Sequence, residues 1–133
     1  MSIRFTVSEL IPASPEIVYK AWLNSDQHAL MTGGAGAQVS EKIGEPFEAW
    51  DGYIQGKNLE LQPFKRILQA WRTSEFVDSD PDSLLEILFE PAVGGTKVTI
   101  IHSELPAHGM QYKQGWVDSY FEPMKDYFNQ VKQ

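Results

Sequence analysis

The segment YKQGWVDSYFEPMKDYFNQV, residues 112–131, decides the fold. After Tyr112 its large apolar residues come as Trp116 and Val117, Tyr120 and Phe121, Met124, Tyr127 and Phe128, then Val131. Steps of three and four mark one amphipathic helix, and a segment of this length makes about six turns at 3.6 residues per turn. Pro123 lacks the N–H that would pair with the Ser119 carbonyl, which predicts a kink within a helix over 110–131.

Upstream the period is different. Ile3, Phe5, Val7 and Ile11 alternate with Arg4, Thr6 and Ser8, which predicts a half-buried strand over 3–11, ended by Pro12. Ser14-Pro15-Glu16 supplies an N-cap, a first-turn proline and a first-turn acid for a short helix with Ile17, Val18, Ala21 and Trp22 on one face. Asn24-Ser25-Asp26 caps a second short helix through Leu30 and Met31, which gives out at Gly33-Gly34-Ala35-Gly36. Strands are then expected over 37–43 and 47–54, with Gly44-Glu45-Pro46 between them. Gly56-Lys57-Asn58 reads as the next turn, before a strand over 59–62, and Pro63-Phe64-Lys65 as another, before 66–77. The polar stretch Asp78–Asp82 precedes a strand over 84–90, and Gly94-Gly95 is a hairpin signal leading into 96–103.

No alternation of strand and helix suggests parallel pairing, so the class is α+β, in one domain over 1–133. A strongly curved antiparallel sheet of about six strands cannot fill its own concave side. A long helix with an aromatic face closes it, and an imperfect fit leaves a cavity. This is the helix-grip arrangement: a sheet wrapped on a long C-terminal helix, with two short helices after the first strand.

Composition limits what such a domain does. The chain has 133 residues, 42% hydrophobic and 22% charged, the profile of a globular domain. With no cysteine, disulfides, thiolate metal sites and cysteine nucleophiles are excluded together. The formal net charge of −7 argues against nucleic acid and anionic membranes as partners. The small basic group Lys65, Arg66 and Arg72 reads as a solvated face. Met1-Ser2-Ile3-Arg4-Phe5-Thr6 has no apolar run long enough for a signal peptide and no stretch approaches spanning length, so a cytoplasmic protein is expected, as a monomer or weak dimer.

Several stretches carry a resemblance. Asp51-Gly52-Tyr53-Ile54-Gln55-Gly56, Leu61-Gln62-Pro63 and Arg66-Ile67-Leu68-Gln69-Ala70-Trp71-Arg72 resemble the C-terminal domain of the activator of heat-shock protein 90 ATPase. The helix start Ser14-Pro15-Glu16, the strand end His102-Ser103-Glu104-Leu105-Pro106 and the tail Gln114-Gly115-Trp116, Tyr120-Phe121-Glu122 and Lys125 are similar to the same family, in the same order. That family is similar in turn to START domains, birch-type pollen allergens and polyketide cyclases. The resemblance implies the helix-grip fold. It also implies a heat-shock-protein-90-class chaperone as partner, in a co-chaperone or stress-response role.

The side chains that could carry chemistry do not assemble in sequence into a catalytic set. His28, His102 and His108 have no second ligand at metal-site spacing, although His102 ends a strand expected to face the helix, where the backbone is expected to satisfy it. Asp78-x-Asp80-x-Asp82 opens like a calcium loop, but Ser83 and Phe89 stand where glycine and glutamate are needed. The glycine-rich segment follows a helix instead of a strand, so it is no phosphate cradle; 32–37 is instead a candidate gate at the cavity mouth. Glu41, Glu45, Glu48 and Asp51 cluster, but Glu48 and Asp51 are expected on opposite faces of one strand. The chain therefore reads as non-enzymatic, without cofactor or metal. What remains is a set of cavity candidates: Phe47, Trp50, Tyr53 and Trp71 from the first half, and Phe89, His102, Trp116 and Tyr120 from the second. They favour a small apolar ligand as the alternative partner.

Overall fold

Strand β1 (Ile3–Ile11) buries Phe5 and Ile11 and leaves Arg4, Thr6 and Ser8 in water, as alternation requires. The computed structural model to which it belongs describes residues 2–131, Val131 in its backbone only. The Val131 side chain and positions 1, 132 and 133 lie outside those residues.

Helix α1 (Pro15–Trp22) starts as its residues dictate: the Ser14 hydroxyl accepts the Ile17 N–H at 3.4 Å and Pro15 opens the first turn. Its buried side is Val18, Tyr19, Ala21 and Trp22. Ile17, expected on that face, is 51% exposed. At 100° per residue it lies about 120° from the centre of the buried stripe, which the large rings of Tyr19 and Trp22 pull away from it. Helix α2 (Ser25–Met31) is capped by Asn24, whose side chain accepts the Gln27 N–H at 3.0 Å, and it buries His28 and Met31.

The sheet has six strands, all antiparallel, in the order β1-β6-β5-β4-β3-β2, with β2 Pro46–Ala49, β3 Ile54–Gln62, β4 Arg66–Thr73, β5 Ser83–Ala92 and β6 Gly95–Leu105. Helices α1 and α2 carry the chain from one edge of the sheet to the other. The turn at 63–65 falls where the sequence places it, and the hairpin expected at Gly94-Gly95 turns one residue earlier, at Val93-Gly94.

Two expectations at the β2 edge fail, for stated reasons. Residues 37–43 form no strand; a single bridge joins Gln38 to Glu48. The buried Asn58 amide instead donates to the Ser40 and Lys42 carbonyls at 2.9 and 3.1 Å, and its own oxygen accepts from Gln69 at 2.9 Å. Side-chain bonds thus hold a loop where a ladder was expected. The turn expected at Gly56-Lys57-Asn58 lies inside β3. Gly56 is needed there for space, because a Cβ on it would meet the Ala70 carbonyl at 1.9 Å and the Phe47 ring at 2.6 Å. The real turn is at Trp50 and Asp51, both at positive φ (55° and 56°), with the Gly52 N–H reaching the Ala49 carbonyl. Glu48 and Asp51 are therefore not in one strand, and the opposite-face argument does not apply to them.

The C-terminal helix runs as α3 (Gln111–Trp116), a π-helical turn (Val117–Phe121) and α4 (Glu122–Val131). The Glu122 N–H bonds to Val117, five residues back, immediately before Pro123. The kink expected at proline is thus taken up as a widened turn. Among the described residues no helix is long and apolar enough to cross a membrane.

Asn58→Ala removes the partner of one buried amide and two loop carbonyls. It is expected to cost about 2–3 kcal/mol, against at most ~0.5 kcal/mol for an ordinary surface change, and to speed amide exchange over 38–45, as urea unfolding and hydrogen exchange will measure.

Candidate functional site

Between the C-terminal helix and the β2–β4 side of the sheet lies a cavity of about 440 Å³. The sheet side contributes Trp50, Tyr53, Ile54, Trp71 and Glu75; the helix contributes Gln111, Tyr112, Gly115, Trp116, Ser119 and Tyr120. Helical spacing explains the second group: 112, 116 and 120 are one turn apart, and 111, 115 and 119 form the row beside them. On the sheet, Trp71 is an inward position of β4, while Trp50 and Tyr53 come from the turn at positive φ.

The rings pack closely. Trp71 and Trp116 have centroids 5.8 Å apart, Trp116 and Tyr120 4.7 Å, and Trp71 and Tyr112 5.0 Å. Behind them Trp22 stacks on Tyr120 at 5.2 Å.

Of the eight candidates, Trp50, Tyr53, Trp71, Trp116 and Tyr120 meet at this cavity. Phe47 is buried against Gly56 instead, and Phe89 packs on Tyr19 and Trp22. His102 stands behind the lining, its ring 4.5 Å from that of Trp71. Ile54, Glu75, Gln111, Tyr112, Gly115 and Ser119 were not among the candidates. Helical spacing back from Trp116 and Tyr120 was signal enough for Tyr112, Gly115 and Ser119. Nothing local marks Glu75.

His102 is satisfied by side chains, whereas the backbone was expected to do it. The Trp116 indole can only donate, and it reaches His102 Nδ1 at 3.1 Å. The proton of the neutral ring is therefore on Nε2, which donates to Ser83 Oγ at 2.9 Å, and Ser83 donates to the Trp71 carbonyl at 2.7 Å. His28 has the opposite tautomer. Its Nδ1 donates to the Trp22 carbonyl at 2.9 Å, so Nε2 accepts the Tyr120 hydroxyl at 2.8 Å. Burial lowers His28 to about 4 and His102 to about 3, and burial raises the Tyr120 phenol.

At the mouth, Tyr53 donates to Glu75, and Gln111 Nε2 reaches the other carboxylate oxygen at 3.1 Å. These bonds hold the Glu75 carboxyl below its usual range. Desolvation first, and the Glu75 bond second, push the Tyr53 phenol up. Tyr112 shares a 2.6 Å bond with Thr73, and its hydroxyl lies 3.2 Å from His108 Nε2. The loop 32–37 reaches this region through Gly36: Asp51 Oδ1 accepts its N–H at 2.8 Å and the Asp51 N–H donates to its carbonyl at 2.9 Å. Elsewhere Arg66 is paired with Glu60 and Glu86 and Arg72 with Asp82, so most of the basic group is neutralised. Among the described residues no group of three His, Asp or Glu could hold a metal.

An antiparallel sheet gripping one long helix over an aromatic cavity defines a helix-grip domain. The chain belongs to the Activator of Hsp90 ATPase homolog 1-like family, whose model matches residues 12–129. It is 26% identical over 126 residues to the activator of 90 kDa heat shock protein ATPase homolog 1 of Homo sapiens, covering 94% of this chain and 37% of that one. The chain thus spans little more than a third of the curated relatives it matches. An HSP90 activator from Plasmodium falciparum has the same fold, with a TM-score of 0.84 at 21% identity over 96% of each chain. So does the Aha1 dimer from Colwellia psychrerythraea, at a TM-score of 0.72 and 18% identity, covering 86% of this chain and 88% of that one.

Two outcomes follow from the buried histidines. The unfolded chain takes up protons near 6.5, the folded one only near 4 and 3, so stability is held above pH 6.5 and lost as pH falls toward 4. The loss is about 1.4 kcal/mol per pH unit for each histidine, and His102→Gln removes its share of the slope in unfolding curves taken across that range. Trp116→Phe keeps a ring but leaves His102 Nδ1 without a donor. Urea unfolding is expected to show a cost of about 1–3 kcal/mol.

Proposed function

We propose that this chain is a non-catalytic binding domain that docks on a heat-shock-protein-90-class chaperone through its outer surface. The observation that carries it is the alignment with the human activator across 94% of the chain, beside the family match over 12–129. A folded partner domain does not enter a 440 Å³ cavity, so the contact is exterior. Absence of catalysis is supported by how the titratable groups are used. His28 and His102 are buried, neutral and fully engaged, and among the described residues Glu75 is the one carboxylate lining the cavity. Acid–base work needs two groups with separated pKa values at one reacting centre. The proposal places the domain in the cytoplasm, as a monomer or weak dimer, in a co-chaperone or stress-response role.

A second reading is favoured by the cavity itself, whose volume lies within the range of small-molecule sites. On that reading the domain carries or senses a small apolar ligand, and loop 32–37, which reaches the site through the Gly36–Asp51 bonds, is its gate.

Titrating purified chaperone into isotope-labelled protein at moderate salt separates the two. Docking shifts exposed amides and leaves those of Trp71, Trp116 and Tyr120 in place. The affinity is expected to be about micromolar or weaker, because one domain alone lacks the gain of a linked second contact. If no amide moves at ~100 µM chaperone, a concentration well above that range, the docking proposal fails.

A further inference from the structure

We propose that the cavity takes a monocationic amine borne on a flat apolar body, with the ammonium on Glu75 at the mouth and the body against Trp50, Trp71 and Trp116. The proposal rests on the small-ligand reading above and specifies its ligand. Three observations carry it. Among the described residues Glu75 is the one charged side chain lining the cavity, and no lysine or arginine is among them to balance it. Its carboxylate offers about four acceptor positions, of which Tyr53 and Gln111 engage two, so capacity is left for a further donor. Tyr53 and Gln111 also fix the carboxylate in place, one from the β2–β3 turn and one from the first turn of α3.

The rest of the lining suits the same ligand. Indole and phenol faces carry negative potential, so they attract a cation and repel an anion. The rings of Trp71, Trp116 and Tyr120 succeed one another at 5.8 and 4.7 Å and make an apolar wall for a flat body. Glu75 is exposed, so the ammonium keeps part of its hydration while the apolar body is buried, and the desolvation cost of the charge stays low. An anion of the same shape would face the carboxylate and the ring faces together.

Three probes of one shape and different charge test this: naphthylmethylamine, naphthylmethanol and naphthylacetate, titrated at neutral pH and followed by NMR shifts of the tryptophan indoles. The amine is expected to bind about fivefold to tenfold more tightly than the alcohol, with the acetate weakest. Glu75→Gln keeps an acceptor for Tyr53 and is expected to bring the amine to about the level of the alcohol. Its thermal midpoint checks that it is folded. If acetate binds as well as the amine, or if Glu75→Gln keeps the amine preference, the charge assignment is overturned and the small-ligand reading stands. If none of the three binds, the small-ligand reading falls, and this proposal with it.

Discussion

A buried indole N–H must find an acceptor, and in this core the acceptor for Trp116 is His102. That contact ties the C-terminal helix to β6, and the line continues through Ser83 on β5 to the Trp71 carbonyl on β4. Three strands and the helix are thus joined by directional bonds inside the core. Dispersion packing alone would let the helix slide or settle by small amounts; hydrogen bonds with one donor and one acceptor apiece do not. The second tie, from Tyr120 through His28 to the Trp22 carbonyl, joins the same helix to the α1–α2 pair. With the helix held at these points and through the Tyr112–Thr73 bond, its Gly115–Ser119 row stands off from the Trp50–Tyr53 turn, and the space between is the cavity.

The same constraint explains the widened turn. Tyr112, Trp116, Tyr120, Met124 and Phe128 are all buried, each four residues from the last. On a straight α-helix such a row drifts by about 40° per step, and its ends would point to different sides. A π turn between Val117 and Phe121 winds the chain more slowly and takes back part of that drift. Tyr112 and Trp116 thereby face the sheet, while Met124 and Phe128 are still buried further along. Pro123, which cannot donate to the preceding turn, stands where the irregular hydrogen bonding is already present.

Much of this was legible in the sequence. The alternation of 3–11, the Ser14 cap and the Gly94-Gly95 hairpin are local signals, and local physics suffices to read them. The β2 edge was not legible, because its causes are distant in sequence. Gly56 looks like a turn residue, yet it is glycine because Phe47 and the Ala70 carbonyl leave no room. Trp50 and Asp51 look like strand residues, yet both occupy the left-handed region, where Asp51 is bonded to the distant Gly36. Among the site residues, large rings were legible as core or cavity, but composition does not say which. Phe47 and Phe89 are inward strand positions and went to the core, whereas Trp50 reaches the cavity from the β2–β3 turn. Glu75 was invisible because its partners, Tyr53 and Gln111, are 22 and 36 residues away.

The two buried histidines offer the most direct measurement. Long-range proton–nitrogen correlation NMR reads the protonated nitrogen of each imidazole without any mutation. The structure requires His102 protonated on Nε2 and His28 on Nδ1, both neutral at pH 7, because one accepts from an indole at Nδ1 and the other donates from Nδ1 to a carbonyl. Opposite tautomers in one spectrum are the expected result. The same tautomer in both rings, or an imidazolium in either, would contradict the arrangement that holds the helix over the sheet.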